Sequence, residues 1–173
     1  MSARDLVLTS TAFNGFWLLA VWGQWDWPLL LGLAAVWLRW PRAGLWALPI
    51  ALVGVGLDSL WTQAGVFRFE QLPGWLLVLW LGFGTYAWAL RRVVVAAPSH
   101  WLALIGACAG AMSYWAGVRL GAVSWPMGLV PTLSLLWLEW FLLTLAIQAG
   151  LRRAMQSDSR RACAHRVRPG EEA

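Results

Sequence analysis

The chain is poor in charge. Only 12% of its 173 residues are Asp, Glu, Lys or Arg, while 60% are hydrophobic. A soluble domain of this length carries roughly a quarter of its residues as charges. Half that supply cannot coat a globule, so most of the surface is expected to face lipid. Lysine is missing altogether, and the positive charge rests on thirteen arginines. Histidine is limited to His100 and His165, and cysteine to Cys108 and Cys163. So few, so dispersed, they argue against a His-rich metal centre, a membrane haem site and a disulfide framework; no metal and no cofactor is expected. Catalytic signatures are missing too. The chain has no G-x-S-x-G, no H-E-x-x-H, no phosphate-binding glycine loop and no paired His/Asp motif, so no catalytic residue is assigned.

Apolar sequence and tryptophan are what the chain has in abundance. Mean hydropathy is +0.62, and sixteen tryptophans are present, a residue that favours the membrane–water boundary. A helix crosses a hydrocarbon core of about 30 Å in about 20 residues. Six runs fit, at 7–22, 26–40, 43–65, 73–90, 100–121 and 128–150. The expected fold is all-α, a polytopic transmembrane bundle of about six spans over residues 1–151. A polar, Arg-rich tail, 152–173, is expected to be disordered. No small-x-small site follows the first run, which is therefore expected to be an uncleaved span. Trp25, Trp27, Trp37, Trp40, Trp46, Trp61, Trp75, Trp88, Trp101 and Trp125 fall near the expected span ends, as an aromatic belt does.

The connections alternate in charge. Arg4, the pair Arg39 and Arg42, the pair Arg91 and Arg92, and the pair Arg152 and Arg153 fall on one side. The other side holds Asp26, then Arg68 with Glu70, then the uncharged "AVSWPM". By the positive-inside rule both termini are expected in the cytoplasm. Arginines at span ends, not along one face, also remove nucleic acid from the expected partners. "LRR" recurs at 90–92 and 151–153. Topology alone puts arginine at both places, so an internal repeat does not follow from that spacing.

Helices in lipid pack through small residues. In the third run Gly44, Ala47, Ala51, Gly54, Asp58 and Gly65 form one stripe, which turns Asp58 toward other helices. The fifth carries two G-x-x-x-G pairs, Gly106 with Gly110 and Gly117 with Gly121, as a second expected packing face. Polar groups at membrane depth are few: Asn14, Asp58 with Ser59 and Gln63, Ser113 with Tyr114, Arg119 and Glu139. Ionisable groups there cost about 2.5–3.5 kcal/mol or more and face a partner or a cavity; structural pairing and a functional site are both open readings. At 1.5 Å per residue, Asp58 lies about 10 Å and Arg119 within about 5 Å of the outer span ends, while Glu139 is near the midplane. Depth therefore predicts an Asp58–Arg119 pair lining an outward polar pocket with Ser59, Gln63 and Tyr114. Glu139, without a cation at its depth, is expected to be protonated or hydrogen-bonded, with Asn14 as a partner.

Two stretches, "GLDSLWTQAGVFRF" (56–69) and "SYWAGVRLGAV" (113–123), resemble the bacterial family called domain of unknown function 2878, with similarity over about residues 8–150. The resemblance implies a small multi-pass protein of the bacterial inner (cytoplasmic) membrane with no established activity, so it brings no catalytic residues. Three functions stay open. The first is a non-catalytic accessory protein binding membrane lipid, a membrane-protein partner or a second copy of itself. The second is a small transporter using the buried acids, although Pro49 and Pro131 are unmatched in depth and give no broken-helix pair. The third is an intramembrane enzyme acting on lipid, with Asp58 and Glu139 as acid and base. Small-residue faces, short loops and the lack of catalytic motifs favour the first.

Overall fold

The structure, a computed structural model, describes residues 1–69 and 73–166, with side chains as far as Ser157. Its elements are α1 (Ala3–Val21), α2 (Asp26–Arg39), α3 (Pro41–Gln63), α4 (Gly74–Ala89), α5 (Arg91–Ala96), α6 (Ser99–Arg119) and α7 (Leu129–Arg166). Three are long and apolar enough to cross a membrane: α3, α6 and the Leu129–Ser157 part of α7. A shorter apolar helix, α4, accompanies them. Large apolar side chains point outward, with Leu38 86%, Leu52 74% and Val130 72% exposed, a surface that water does not tolerate over so wide an area.

The helix ends follow local chemistry. Ser2 and Asp5 close a reciprocal capping box on α1. Pro41 opens α3, where its fixed φ and missing N–H cost nothing. The α3 and α6 C-termini are closed by Gly65 (φ +77°) and Gly121 (φ +75°), in the left-handed region that glycine enters without a Cβ penalty. Gly65 and Gly121 therefore terminate helices and do not extend packing stripes. The short α5 lies in the link between the expected fourth and fifth spans. Its last carbonyls are held from α7: Gln148 Nε2 donates to Val94 O (2.7 Å) and Ala97 O (2.9 Å), and Arg152 donates to Val95 O and Ala97 O. The helix α7 runs on past Leu151 to Arg166 without a break at the 151/152 boundary. Glu70 and residues 167–173 of the expected tail lie outside the described residues.

Packing divides the bundle into two parts. The first centres on α4, which is apolar all round and buries Trp75, Leu76, Val78, Trp80, Leu81 and Ala87 among α1, α2 and α3. Gly82 lies against Phe16 and Gly84 against the Ala47 backbone, so that any Cβ would overlap them. The second part is α6 on α7, where Gly106 meets Thr144 and Gly110 meets the Trp140 indole. Gly117, by contrast, has only Val123 at ordinary contact distance, so the close approach in α6 is confined to Gly106 and Gly110.

The α3–α4 and α6–α7 hairpins are versions of one arrangement. Gly54 and Gly110, 56 positions apart, each seat a tryptophan of the following helix, Trp80 and Trp140. Ala47 and Ala51 in α3 are matched at the same offset by Ala103 and Ala107 in α6, all four buried. Gly65 matches Gly121, and three residues further on Arg68 pairs with Ser124 as a single antiparallel bridge. An internal repeat, undecidable from the arginine spacing, is visible in these contacts.

Candidate functional site

The two hairpins meet at a seam filled by aromatic rings around two carboxylates. Asp58, on the buried face of α3, is 0% exposed. Its Oδ2 accepts from Trp80 Nε1 of α4 (2.7 Å) and its Oδ1 from Tyr114 OH of α6 (2.6 Å). Tyr114 is the residue 56 positions on from Asp58, so the acid is bound by its own counterpart in the repeat. Trp80 stacks flat on Trp140 of α7, centroids 5.4 Å apart at 9°, and Tyr114 stacks on Phe67 at 5.3 Å. Neutral donors thus satisfy both oxygens of the acid, and among the described residues no cation reaches it.

The second acid, Glu139, is also buried and sits beside Trp140 on α7. Its Oε2 accepts from Trp61 Nε1 of α3, while Oε1 is buried without a partner. Thr132 Oγ1, on the same face of α7 two turns earlier, and Trp140 Nε1 are buried without partners as well. Such groups are rare in folded proteins and cost about 1–3 kcal/mol each.

The expected partners differ from these. Asp58 and Arg119 are not paired: both Asp58 oxygens are taken by Trp80 and Tyr114, and Arg119 is exposed at the end of α6. The helix axis carries Arg119 past the acid, and its long side chain stays at the surface. Glu139 binds Trp61 and not Asn14, whose Nδ2 donates to Ser10 O on the exposed side of α1. Ser59 turns back on Val55 O and Ser113 on Gly110 O within their own helices, and Gln63 is exposed. Of the expected pocket only Asp58 and Tyr114 come together. The missed members are Trp61, Trp80 and Trp140. The signal for them was chemical: indole N–H is a donor, and between the terminal arginines it is one of few donors that α3, α4 and α7 carry at depth. Of the tryptophans near expected span ends, Trp75 is packed in the bundle, only 6% exposed, and the half-buried Trp61 turns its N–H to Glu139.

Cys108 is exposed, and the described residues contain no group of His, Cys, Asp and Glu able to hold a metal ion. Two open clefts lie away from the acids. One, of about 390 Å³, is lined by Gln24–Pro28 before and at the start of α2. The other, of about 360 Å³, lies where α7 passes the start of α6. Asp26, in the first cleft, has its Oδ2 against Gly74, so one carboxylate serves the positive N-terminal ends of both α2 and α4.

A family model described as "Protein of unknown function (DUF2878)" matches residues 6–146, which takes in nearly all of α1, the whole of α2 to α6, just under half of α7 and every residue of the seam. The chain belongs to the DUF2878 family. No curated protein and no solved structure matches it. The matched span of this DUF2878 protein ends before Gln148 and Arg152, so the α7 side chains that hold α5 fall outside it.

Proposed function

We propose that this DUF2878 protein is a six-span protein of the bacterial cytoplasmic membrane with both termini in the cytoplasm. It acts without catalysis, as an accessory protein that binds lipid or a membrane-protein partner. The observation that carries the non-catalytic reading is the state of Asp58: fully buried, with both oxygens engaged by Trp80 and Tyr114 and aromatic rings packed around it. A general acid or base has to reach a reacting group, and this carboxylate faces only its own bundle. The membrane orientation is supported by the gathering of Arg39, Arg42, Arg91, Arg92, Arg152 and Arg153 at one end. Trp46 stacks on Trp88 there at 5.9 Å, and Arg91 lies over Trp88 at 4.3 Å.

The unpartnered Glu139 Oε1 favours one second reading, a small transporter that carries a cation or proton past this acid. The test joins topology to flux. A reporter after Arg153 should read cytoplasm and one inserted after Phe69 the outside, and the purified protein should retain a defined lipid or protein. Flux in proteoliposomes that depends on pH and is lost in Glu139→Gln would replace the accessory reading with the transporter.

A further inference from the structure

The arginine end contains a built cleft. Ser99, the first residue of α6, faces Gln148, Arg152, Arg153 and Gln156 of α7 across a cavity of about 360 Å³, a size within the range of small-ligand clefts. Arg152 is fixed in place by three bonds: Nε to Val95 O (3.2 Å), Nη1 to Ser99 Oγ (3.1 Å) and Nη2 to Ala97 O (3.1 Å). A guanidinium has five N–H donors, so two stay open on a group that has already lost its freedom. Arg153 is exposed next to it. No carboxylate lines the cleft among the described residues.

Further positive charge stands at the same end. Partial burial first, then the nearby Arg92 and Arg42 charges, pull the Arg91 guanidinium below its ordinary value. Like charges are crowded here, and an anion would relieve them. We infer that the α6–α7 cleft binds the phosphate of an anionic phospholipid headgroup, gripped by the open donors of Arg152 and by Arg153, with the Ser99 hydroxyl beside them. A lipid is the favoured source because the cleft opens at the end of the apolar bundle where headgroups lie, next to side chains that face acyl chains. This inference rests on the six-span reading and names a ligand for it.

The test uses the full chain in nanodiscs of phosphatidylglycerol or phosphatidylcholine, with retained lipid counted by native mass spectrometry. Wild type should retain phosphatidylglycerol preferentially. Arg153→Gln leaves all three Arg152 bonds in place and should cut that preference about fivefold, the effect of one arginine at an anionic surface. Arg39→Gln, at the same end but outside the cleft, should change it little. Equal retention of the two lipids, or an equal loss in Arg39→Gln, would overturn the cleft in favour of a diffuse surface charge. Stabilisation of the detergent-purified protein by inorganic phosphate, lost in Arg153→Gln and without lipid preference, would keep a phosphate site and overturn the headgroup. A reporter after Arg153 that reads the outside would refute the six-span reading separately, because lipid selectivity is measured on purified protein.

Discussion

Replacing Asp58 isolates what the seam contributes. Asp58→Leu removes both acceptors and strands the indole N–H of Trp80 and the hydroxyl of Tyr114 in the interior. An orphaned buried donor costs about 1–3 kcal/mol, which gives about 2–6 kcal/mol for the two. Interhelical bonds in lipid average nearer 0.6 kcal/mol, because helices separated in the membrane find other partners, so about 1 kcal/mol is the floor. Asp58→Asn keeps both bonds: Oδ1 still accepts from Trp80, and Nδ2 can donate to the Tyr114 oxygen. It should cost less than that floor. Tyr114→Phe removes one bond and falls between them. A hydrophobic replacement can stabilise a bundle when all members of a polar group are exchanged together, but here Trp80 and Tyr114 stay and lose their acceptor. Unfolding of the purified protein in mixed micelles, followed by tryptophan fluorescence against added denaturing detergent, should rank Asp58→Asn, Tyr114→Phe and Asp58→Leu in order of increasing loss. Equal stability of Asp58→Leu and Asp58→Asn would refute the reasoning, since the two differ mainly in whether the donors keep a partner.

Two further outcomes follow from the glycines. Gly54→Ala and Gly110→Ala drive a methyl into the Trp80 and Trp140 rings and should each cost about 1–3 kcal/mol by overpacking; Gly56→Ala, with open space around it, should be neutral or slightly stabilising, and equal midpoints for all three in the same titration would contradict the packing. Gly65→Ala and Gly121→Ala force a side chain into the left-handed region at about 1–2 kcal/mol each, and the two losses should match, because the turns are equivalent.

Much of the helical layout was legible because apolar runs bounded by charge or proline leave few alternatives: Pro41, Pro73 and the arginine pairs mark where helices start or stop. The α3 face from Gly44 to Asp58 was legible from small residues at helical spacing. Gly65 and Gly121 were not, because a glycine at that spacing looks the same whether it packs against a neighbour or ends its helix. Tyr114 belongs to the pocket expected around Asp58, but the bonding of Asp58 to it and to Trp80 escaped for a different reason. Charge pairing directs attention to Arg119, whereas the groups near enough were neutral rings contributed by α4 and α6, and contacts between helices leave no local trace in sequence. The six residues of α5 escaped because what holds their carbonyls, Gln148 and Arg152, comes from more than fifty positions away.

The contacts across the seam join like to like: Asp58 to Tyr114, Arg68 to Ser124, Trp80 to Trp140. A surface that meets its own equivalent is the mark of an isologous interface, the kind two identical subunits form about a two-fold axis. In this chain that interface is covalent, its halves joined through the α5 link. The two hairpins differ at the polar position, where an acid in one faces a phenol in the other. Two identical hairpins would set aspartate against aspartate there, or tyrosine against tyrosine. The hydrogen bond at the centre of the bundle is therefore one that only an asymmetric pair can make.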